Sequence, residues 1–234
     1  MDTNTFNNLI SQTWPDLHAA STLGGGTFGT VYACTKTDAV TGVTQKEAVK
    51  VVRVDFTPED RANAEEEGIP FADYYRAVKE KRLQEIRWMV ALKSPHIVHI
   101  NGYTAIEEPD LSALYILIRM DCLTALDQLR PAHLDDTPEQ AAALAEKVAL
   151  DICDALRVCH QNGVLHRDIK PANILCSDAG DFYLGDFGIS KGTAQQASMT
   201  SSGTLEYAPR EVMTGQYDHR ADLYSRAAPR PPRE

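Results

Sequence analysis

His166-Arg167-Asp168-Ile169-Lys170-Pro171-Ala172-Asn173-Ile174-Leu175, followed by Asp186-Phe187-Gly188, is the strongest signal in the chain. Five polar positions in the first segment (His, Arg, Asp, Lys, Asn) stand at fixed spacing. At about 5% per residue type, such a match arises by chance on the order of once in ten thousand chains of this length. Between the two segments, Ile174-Leu175-Cys176 and Phe182-Tyr183-Leu184 flank Ser177-Asp178-Ala179-Gly180-Asp181, which reads as strand, turn and strand. The plain alternative is a polar loop followed by an ordinary hairpin. The occurrence of all the parts in one order weighs against it.

Upstream, Thr137-Pro138-Glu139-Gln140 is a helix start: a Thr N-cap, Pro at the first helical position, and Gln three residues after the cap. The helix is predicted to run to about His160, with Val148, Ile152 and Leu156 on one stripe, and to end at Asn162-Gly163. Farther upstream the pattern changes to strands. Leu17–Leu23, Thr30–Thr35, Glu47–Val54, Ile97–Tyr103 and Ala113–Met120 are predicted strands. Thr57–Gly68 reads as a polar, acidic loop or short helix. Phe71–Leu92 carries Leu83, Ile86 and Val90 at helical spacing and is stopped by Ser94-Pro95. The chain therefore has a strand-rich front and a helix-rich back, an α+β organisation.

Gly24, Gly26 and Gly29 spell GxGxxG between the first two strands. Three fixed glycines alone are weak evidence. A dinucleotide-binding turn needs a helix after the glycines, but Thr30-Val31-Tyr32-Ala33 is β-branched or aromatic. A glycine-tipped hairpin can instead lay backbone N–H groups over phosphates. On the third predicted strand Ala48 and Lys50 share one face by the period of two. The small residue leaves room for a flat ring, and the lysine can reach phosphates. An inward lysine needs a carboxylate, and the helix Phe71–Leu92 offers Glu80 and Glu85.

Composition sets the bounds. The chain has 234 residues, 43% hydrophobic and 24% charged, enough for one large domain or two small lobes. Lys+Arg 23 against Asp+Glu 33 leaves a net charge of −10, a poor match to nucleic-acid backbones. A bilayer span needs about 20 mostly apolar residues, and no such run is found, so no membrane segment is expected. The start, Met1-Asp2-Thr3-Asn4, has neither basic residues nor an apolar core, so no secretory signal is expected. The five cysteines (Cys34, Cys122, Cys153, Cys159, Cys176) form no CxxC pair and read as reduced thiols in a cytoplasmic protein. Cys159-His160 reads as a buried helix cysteine beside a histidine, not as a metal pair.

Together these segments resemble the eukaryotic-type protein kinases, with Lys170 as in the serine/threonine group. The resemblance covers about Leu17 to Ser225. It implies a two-lobe fold: an N-lobe at about 17–120 and a mainly helical, incomplete C-lobe at about 123–225, with ATP in the cleft between them. Residues 1–16 are then an N-terminal extension and 226–234 a tail unrelated to the family. Further roles follow from the resemblance alone. Gly24, Gly26 and Gly29 cover the phosphates. Lys50 holds the α- and β-phosphates and pairs with Glu85, which lies ten residues before Pro95. Val31 and Ala48 roof the adenine, and Leu175 is its floor. Met120 stands at the back, with Asp121 and Cys122 along the adenine edge; a register with Ile118 at the back remains open. Asp168 accepts the substrate proton, Lys170 steadies the γ-phosphate, and Asn173 and Asp186 hold Mg²⁺. The expected substrate is a protein bearing Ser or Thr. The segment Ile189–Ser202, rich in Ser and Thr, reads either as a solvated loop or, with Arg167 binding its phosphate, as a switch modified between Ser190 and Thr204. Either Arg210 stands where the family usually has proline, or Ala208-Pro209 are the motif residues and one position is displaced; Arg226–Glu234 cannot continue a buried helix. A non-catalytic remnant that binds nucleotide or a partner is the alternative reading.

Overall fold

The computed structural model describes residues 1–26, 29–129, 137–166, 168–186 and 222. In chain order the elements are α1 (Thr3–Ile10), β1 (Leu17–Gly26), β2 (Gly29–Thr37), β3 (Thr44–Asp55), α2 (Pro58–Glu66), α3 (Phe71–Ala91), β4 (Ile100–Glu107), β5 (Ala113–Asp121), β6 (Thr124–Ala125), α4 (Leu126–Leu129), α5 (Pro138–Gln161), a 3-10 turn (Pro171–Asn173), β7 (Ile174–Cys176) and β8 (Phe182–Leu184). They divide into two compact units. One contains Met1–Val90 and His99–Cys122, the other Ala91–Val98 and the chain from Leu123 onward. No helix among the described residues is long and apolar enough to cross a membrane. All five cysteines are free thiols.

The first unit is built on an antiparallel sheet in the order β1-β2-β3-β5-β4. Directly opposed residues share a face, so the register sorts side chains into two sets. Val31, Lys50 and Ile118 stand in one row, and Ala33, Ala48 and Met120 in another, on the same face. Tyr32, Val49 and Arg119 form the row between them and point to the other face. That second face packs on α1. Phe6 and Ile10 are fully buried with Tyr32, Cys34, Val49, Val51 and Leu117. The Phe6 ring stacks on Tyr32 with centroids 3.9 Å apart and planes 5° from parallel. The Tyr32 hydroxyl donates to the Met1 carbonyl at 2.6 Å, and the Ala19 N–H donates to Asn7 Oδ1 at 2.9 Å.

The stretch 1–16 packs within this unit. Its helix is capped by Asp2, which accepts from the N–H groups of Asn4 and Thr5. Phe6, Leu9 and Ile10 at i, i+3 and i+4 supply one apolar stripe, and burying a ring such as Phe6 stabilises by roughly 1.5–3 kcal/mol.

α2 takes the helix option, closed by a capping box between Thr57 and Asp60. α3 is anchored at its start. Phe71, Tyr74 and Tyr75 gather around Phe56 just past β3, and the Tyr75 hydroxyl donates to the Ala113 carbonyl at 3.2 Å. Farther along, Lys79 pairs with Glu107 on β4.

β4 starts at Ile100, not Ile97. The apolar run Ile97-Val98 is extended, but its partner lies in the second unit. Ile97 bridges Leu184 in parallel, the Val98 N–H donates to the Leu184 carbonyl at 3.0 Å, and the Leu184 N–H donates to the His96 carbonyl at 2.8 Å.

In the second unit α5 begins with the expected capping box, Thr137 with Gln140, and ends at Asn162, with Gly163 at φ 72. Ile152, Ala155, Leu156 and Cys159 are its buried stripe, and Val148 is half-buried. β6, β7 and β8 form a small antiparallel sheet. Asp151 ties α5 to β8, accepting from the Phe182 N–H at 3.0 Å, while Lys147 bridges Asp151 and Asp181 at 3.1 Å each. Burial opposes ionisation of Asp151, but these donors and the nearby His96 outweigh it and hold its carboxyl below the usual range.

Candidate active site

The loop between α5 and β7 is held by its own polar groups. His166 is buried; its Nε2 lies 2.8 Å from the Gly185 carbonyl and its Nδ1 3.3 Å from the Asp168 N–H. A carbonyl can only accept and an amide N–H can only donate. The neighbours therefore fix the tautomer with hydrogen on Nε2 and a lone pair on Nδ1. Burial pushes the imidazole below its ordinary pKa, so the ring is neutral.

Asn173 sits at the end of the 3-10 turn. Its side-chain NH₂ donates to the Asp168 carbonyl at 2.8 Å and to Asp168 Oδ2 at 3.1 Å. The Lys170 ammonium lies 3.1 Å from the same Oδ2. The Asn173 carbonyl accepts from the Gly185 N–H at 2.9 Å, which sets Asp186 beside the loop. Asp168, Lys170 and Asn173 are thus brought together, with Asp186 one residue from a bonded neighbour. Asp186 has φ 50, a left-handed conformation uncommon for a side chain other than Gly. Such strain costs about 1–3 kcal/mol and is paid from surrounding packing. Gly185 shows that packing: a Cβ there would meet Leu175 Cδ1 at 3.0 Å and Val98 Cγ2 at 3.3 Å.

Asn173 and Asp186 fit a hard divalent cation. Both Asn173 donors are spent on Asp168, so its Oδ1 is the acceptor left to offer, and Asp186 adds a carboxylate. No group of three or more His, Cys, Asp or Glu ligands occurs among the described residues. Two oxygen donors suit Mg²⁺, which usually shares its ligands with substrate phosphates and water.

Asp222 is a site residue that the sequence reading missed as such. It is 1% exposed, and its Oδ2 accepts from the His166 backbone N–H at 3.0 Å and faces His160 Nε2 at 2.9 Å. It lies 56 residues after His166, and no local spacing marks it.

The first unit presents the other sequence-predicted residues. Lys50 and Ala48 are buried on one face of β3. Lys50 stands between Val31 and Ile118 in its row; Ala48 stands between Ala33 and Met120. Ile118 is almost fully buried and Met120 half-buried. Asp121 donates its N–H to the His99 carbonyl at 3.3 Å and accepts from Asn101 at 3.2 Å; Cys122 follows, half-buried. Glu85 is buried on α3 with Oε2 3.3 Å from Arg82, and its Oε1 has no hydrogen bond among the described residues. Glu80 is exposed and paired with Arg87 at 2.5 Å. Gly24 and Gly26 lie in β1 and Gly29 in β2, so the glycines form a hairpin end with Gly26 opposite Gly29. Gly29 has φ 118, and a Cβ on it would fall 2.2 Å from the Val51 carbonyl oxygen. Leu175 is half-buried in the second unit, on β7 opposite Tyr183. Arg167, Phe187, Gly188, the stretch from Ser190 to Thr204, Arg210 and residues 226–234 lie outside the described residues.

The family model described as "Protein kinase domain" matches residues 17–228. Aurora kinase B of Drosophila melanogaster is 35% identical over 148 residues, which are 63% of this chain and 43% of that protein. Serine/threonine-protein kinase PknH of Mycobacterium tuberculosis is 29% identical over 214 residues, 90% of this chain and 30% of that protein. Aurora kinase B of Xenopus tropicalis is 27% identical over 231 residues, 96% of this chain and 56% of that protein. The chain spans less than two thirds of the length of each of these curated relatives.

Proposed function

The chain belongs to the protein kinase family, and from that premise we propose that it transfers the γ-phosphoryl group of ATP to serine and threonine hydroxyls of protein substrates. The arrangement of Asp168, Lys170 and Asn173 carries this reading. Phosphoryl transfer asks a protein for positioning and charge neutralisation more than for covalent chemistry. Asp168, held by the Asn173 amide, accepts the proton of the attacking hydroxyl. Lys170 leaves its pairing with Asp168 to meet the charge on the γ-phosphoryl oxygens. Asn173 and Asp186 hold Mg²⁺, which neutralises phosphate charge when bound. Lys50 orients the α- and β-phosphates, with Glu85 as its acid, and the backbone at Gly24, Gly26 and Gly29 covers them. Val31 and Ala48 are the purine contacts offered by the first unit, and Leu175 is the one offered by the second. The register favours Ile118 over Met120 as the back wall, because Ile118 is the buried residue opposite Lys50. Met120, Asp121 and Cys122 then follow along the purine edge.

A protein with five free thiols suits the cytoplasm. Its net charge of −10 argues against nucleic-acid partners. The test is transfer of labelled γ-phosphate from Mg·ATP to a Ser/Thr peptide library, with Asp168→Asn as control. Transfer lost in the control is expected. Equal transfer by both proteins overturns the assignment, and nucleotide binding without any transfer identifies a non-catalytic remnant.

A further inference from the structure

Arg119 lies on β5, one residue before Met120, and its strand partner is Val49. Val49 points into the core covered by α1, so Arg119 also faces away from Lys50 and Ala48. Its guanidinium forks onto Glu47 of β3: Nη2 donates to Oε1 at 2.7 Å and Nε donates to Oε2. The two side chains are only 16% and 10% exposed. The ring of Trp14 stands 5.9 Å from the guanidinium carbon. Trp14 in turn hangs from α1, its backbone N–H donating to the Ile10 carbonyl at 2.7 Å, and lies over Gly102 of β4.

The register gives this cluster its meaning. Glu47 is directly opposite Asp121, and Arg119 is two residues back along β5. The pair is therefore diagonal, and the row that it brackets is Ala48 with Met120. A bidentate arginine–carboxylate pair fixes both separation and angle, which a single lysine contact does not. A half-buried arginine and a buried carboxylate locked across β3 and β5 on one face set the spacing of the row presented on the other.

We propose that Arg119 is a positioning residue for the purine of the nucleotide, acting through Glu47 on the Ala48–Met120 row, and that Trp14 couples the segment ahead of β1 to that row. The inference rests on the nucleotide-binding reading above. Arg119 touches no reacting group, so its effect falls on nucleotide affinity and not on the chemical step.

The full chain serves for the test. Mg·ADP affinity is measured by calorimetry, with KM for ATP and kcat alongside, for the parent, Arg119→Gln, Glu47→Gln, the double Gln variant, the charge exchange Glu47→Arg/Arg119→Glu, and Trp14→Leu. Melting curves set an assay temperature at which each variant is folded. The singles are expected to weaken Mg·ADP binding about tenfold, within the usual coupling range for contacting residues. KM rises with kcat within about twofold, and the charge exchange recovers much of the loss. Unchanged affinity in folded single variants overturns the proposal, as does a fall in kcat with KM unmoved. If a single variant does not fold, Trp14→Leu decides: binding equal to the parent overturns the proposal, and weaker binding supports it. A parent that binds no Mg·ADP removes the underlying reading and this inference together. A parent that binds while every variant binds equally removes the inference alone.

Discussion

Lys50 and Asp168 are buried to nearly the same degree, 6% and 5% exposed, yet they are held in place by different means. Behind Lys50 the backing of its strand is apolar. Its strand is backed by Val49 and Val51, then by Tyr32, Phe6 and Ile10, and the forces there are non-directional and spread over many atoms. Around Asp168 the support is polar. His166, Asn173, Lys170, Gly185 and Asp222 form a net in which each bond has a fixed donor and acceptor. An apolar layer defines a plane and tolerates swaps of similar volume. A buried polar net defines the position of single atoms, and one lost partner leaves a charge or dipole stranded.

The sharpest break of the comparison is Asp168→Asn. It keeps an oxygen for the Asn173 amide, so the unit should melt within about 1 kcal/mol of the parent, a typical single hydrogen-bond contribution. Transfer should fall about 10²- to 10⁴-fold with the loss of the proposed general base. Denaturation and γ-phosphate transfer on the same preparation check both halves. Phe6→Ala tests the apolar side. It should cost about 3–5 kcal/mol in urea denaturation, whereas Phe6→Leu should cost under about 1.5 kcal/mol. Equal costs would mean that the Phe6–Tyr32 stack is as directional as the polar net. Asp222→Ala strands the buried His166 N–H and should cost about 1–3 kcal/mol, whereas Asp222→Asn retains an acceptor and should cost less.

The smallest effect is in pH. The folded-state pKa of His166 lies below the ordinary 6.5 because of burial. Below about pH 6.5 the unfolded chain binds a proton that the folded chain refuses, so stability is lost as pH falls from there toward the folded-state pKa. The slope reaches at most about 1.4 kcal/mol per pH unit for this one group. His166→Phe should flatten that part of the profile; an unchanged slope would show that another group supplies it.

The contrast also explains what could be read from sequence. The polar net announced itself because His166, Asp168, Lys170, Asn173 and Asp186 are chemically specific types at short spacing. Helix α5 was legible from Thr137, Pro138 and Gln140 because caps are local. Asp222 was not, because its partner is 56 residues away. The role of residues 1–16 was hidden for the same reason: Phe6 takes its meaning from Tyr32, across a turn and a strand. Ile97-Val98 has strand composition, but composition does not say which sheet the strand joins. The run Ile118-Arg119-Met120 fits its pattern in two registers; the pairing of Ile118 with Lys50 and of Met120 with Ala48 comes from the sheet and is not local to the run. Gly29 was read as a phosphate-loop glycine, whereas the structure adds a packing reason at the Val51 carbonyl.

The placement of residues 91–98 has a consequence for inheritance. These eight residues belong to the second unit, though the chain before and after them belongs to the first. Their backbone supplies an edge to Leu184, more than 80 positions later. Recombination between relatives therefore finds no single breakpoint that exchanges one unit whole. A crossover near Cys122 would bring a donor's version of Ile97 and Val98 against the resident's Leu184 and Gly185, where the contact at Gly185 is already tight. Surviving chimaeras should be those that carry 91–98 and 182–185 from one parent, so these two short stretches should travel through descent as a linked pair.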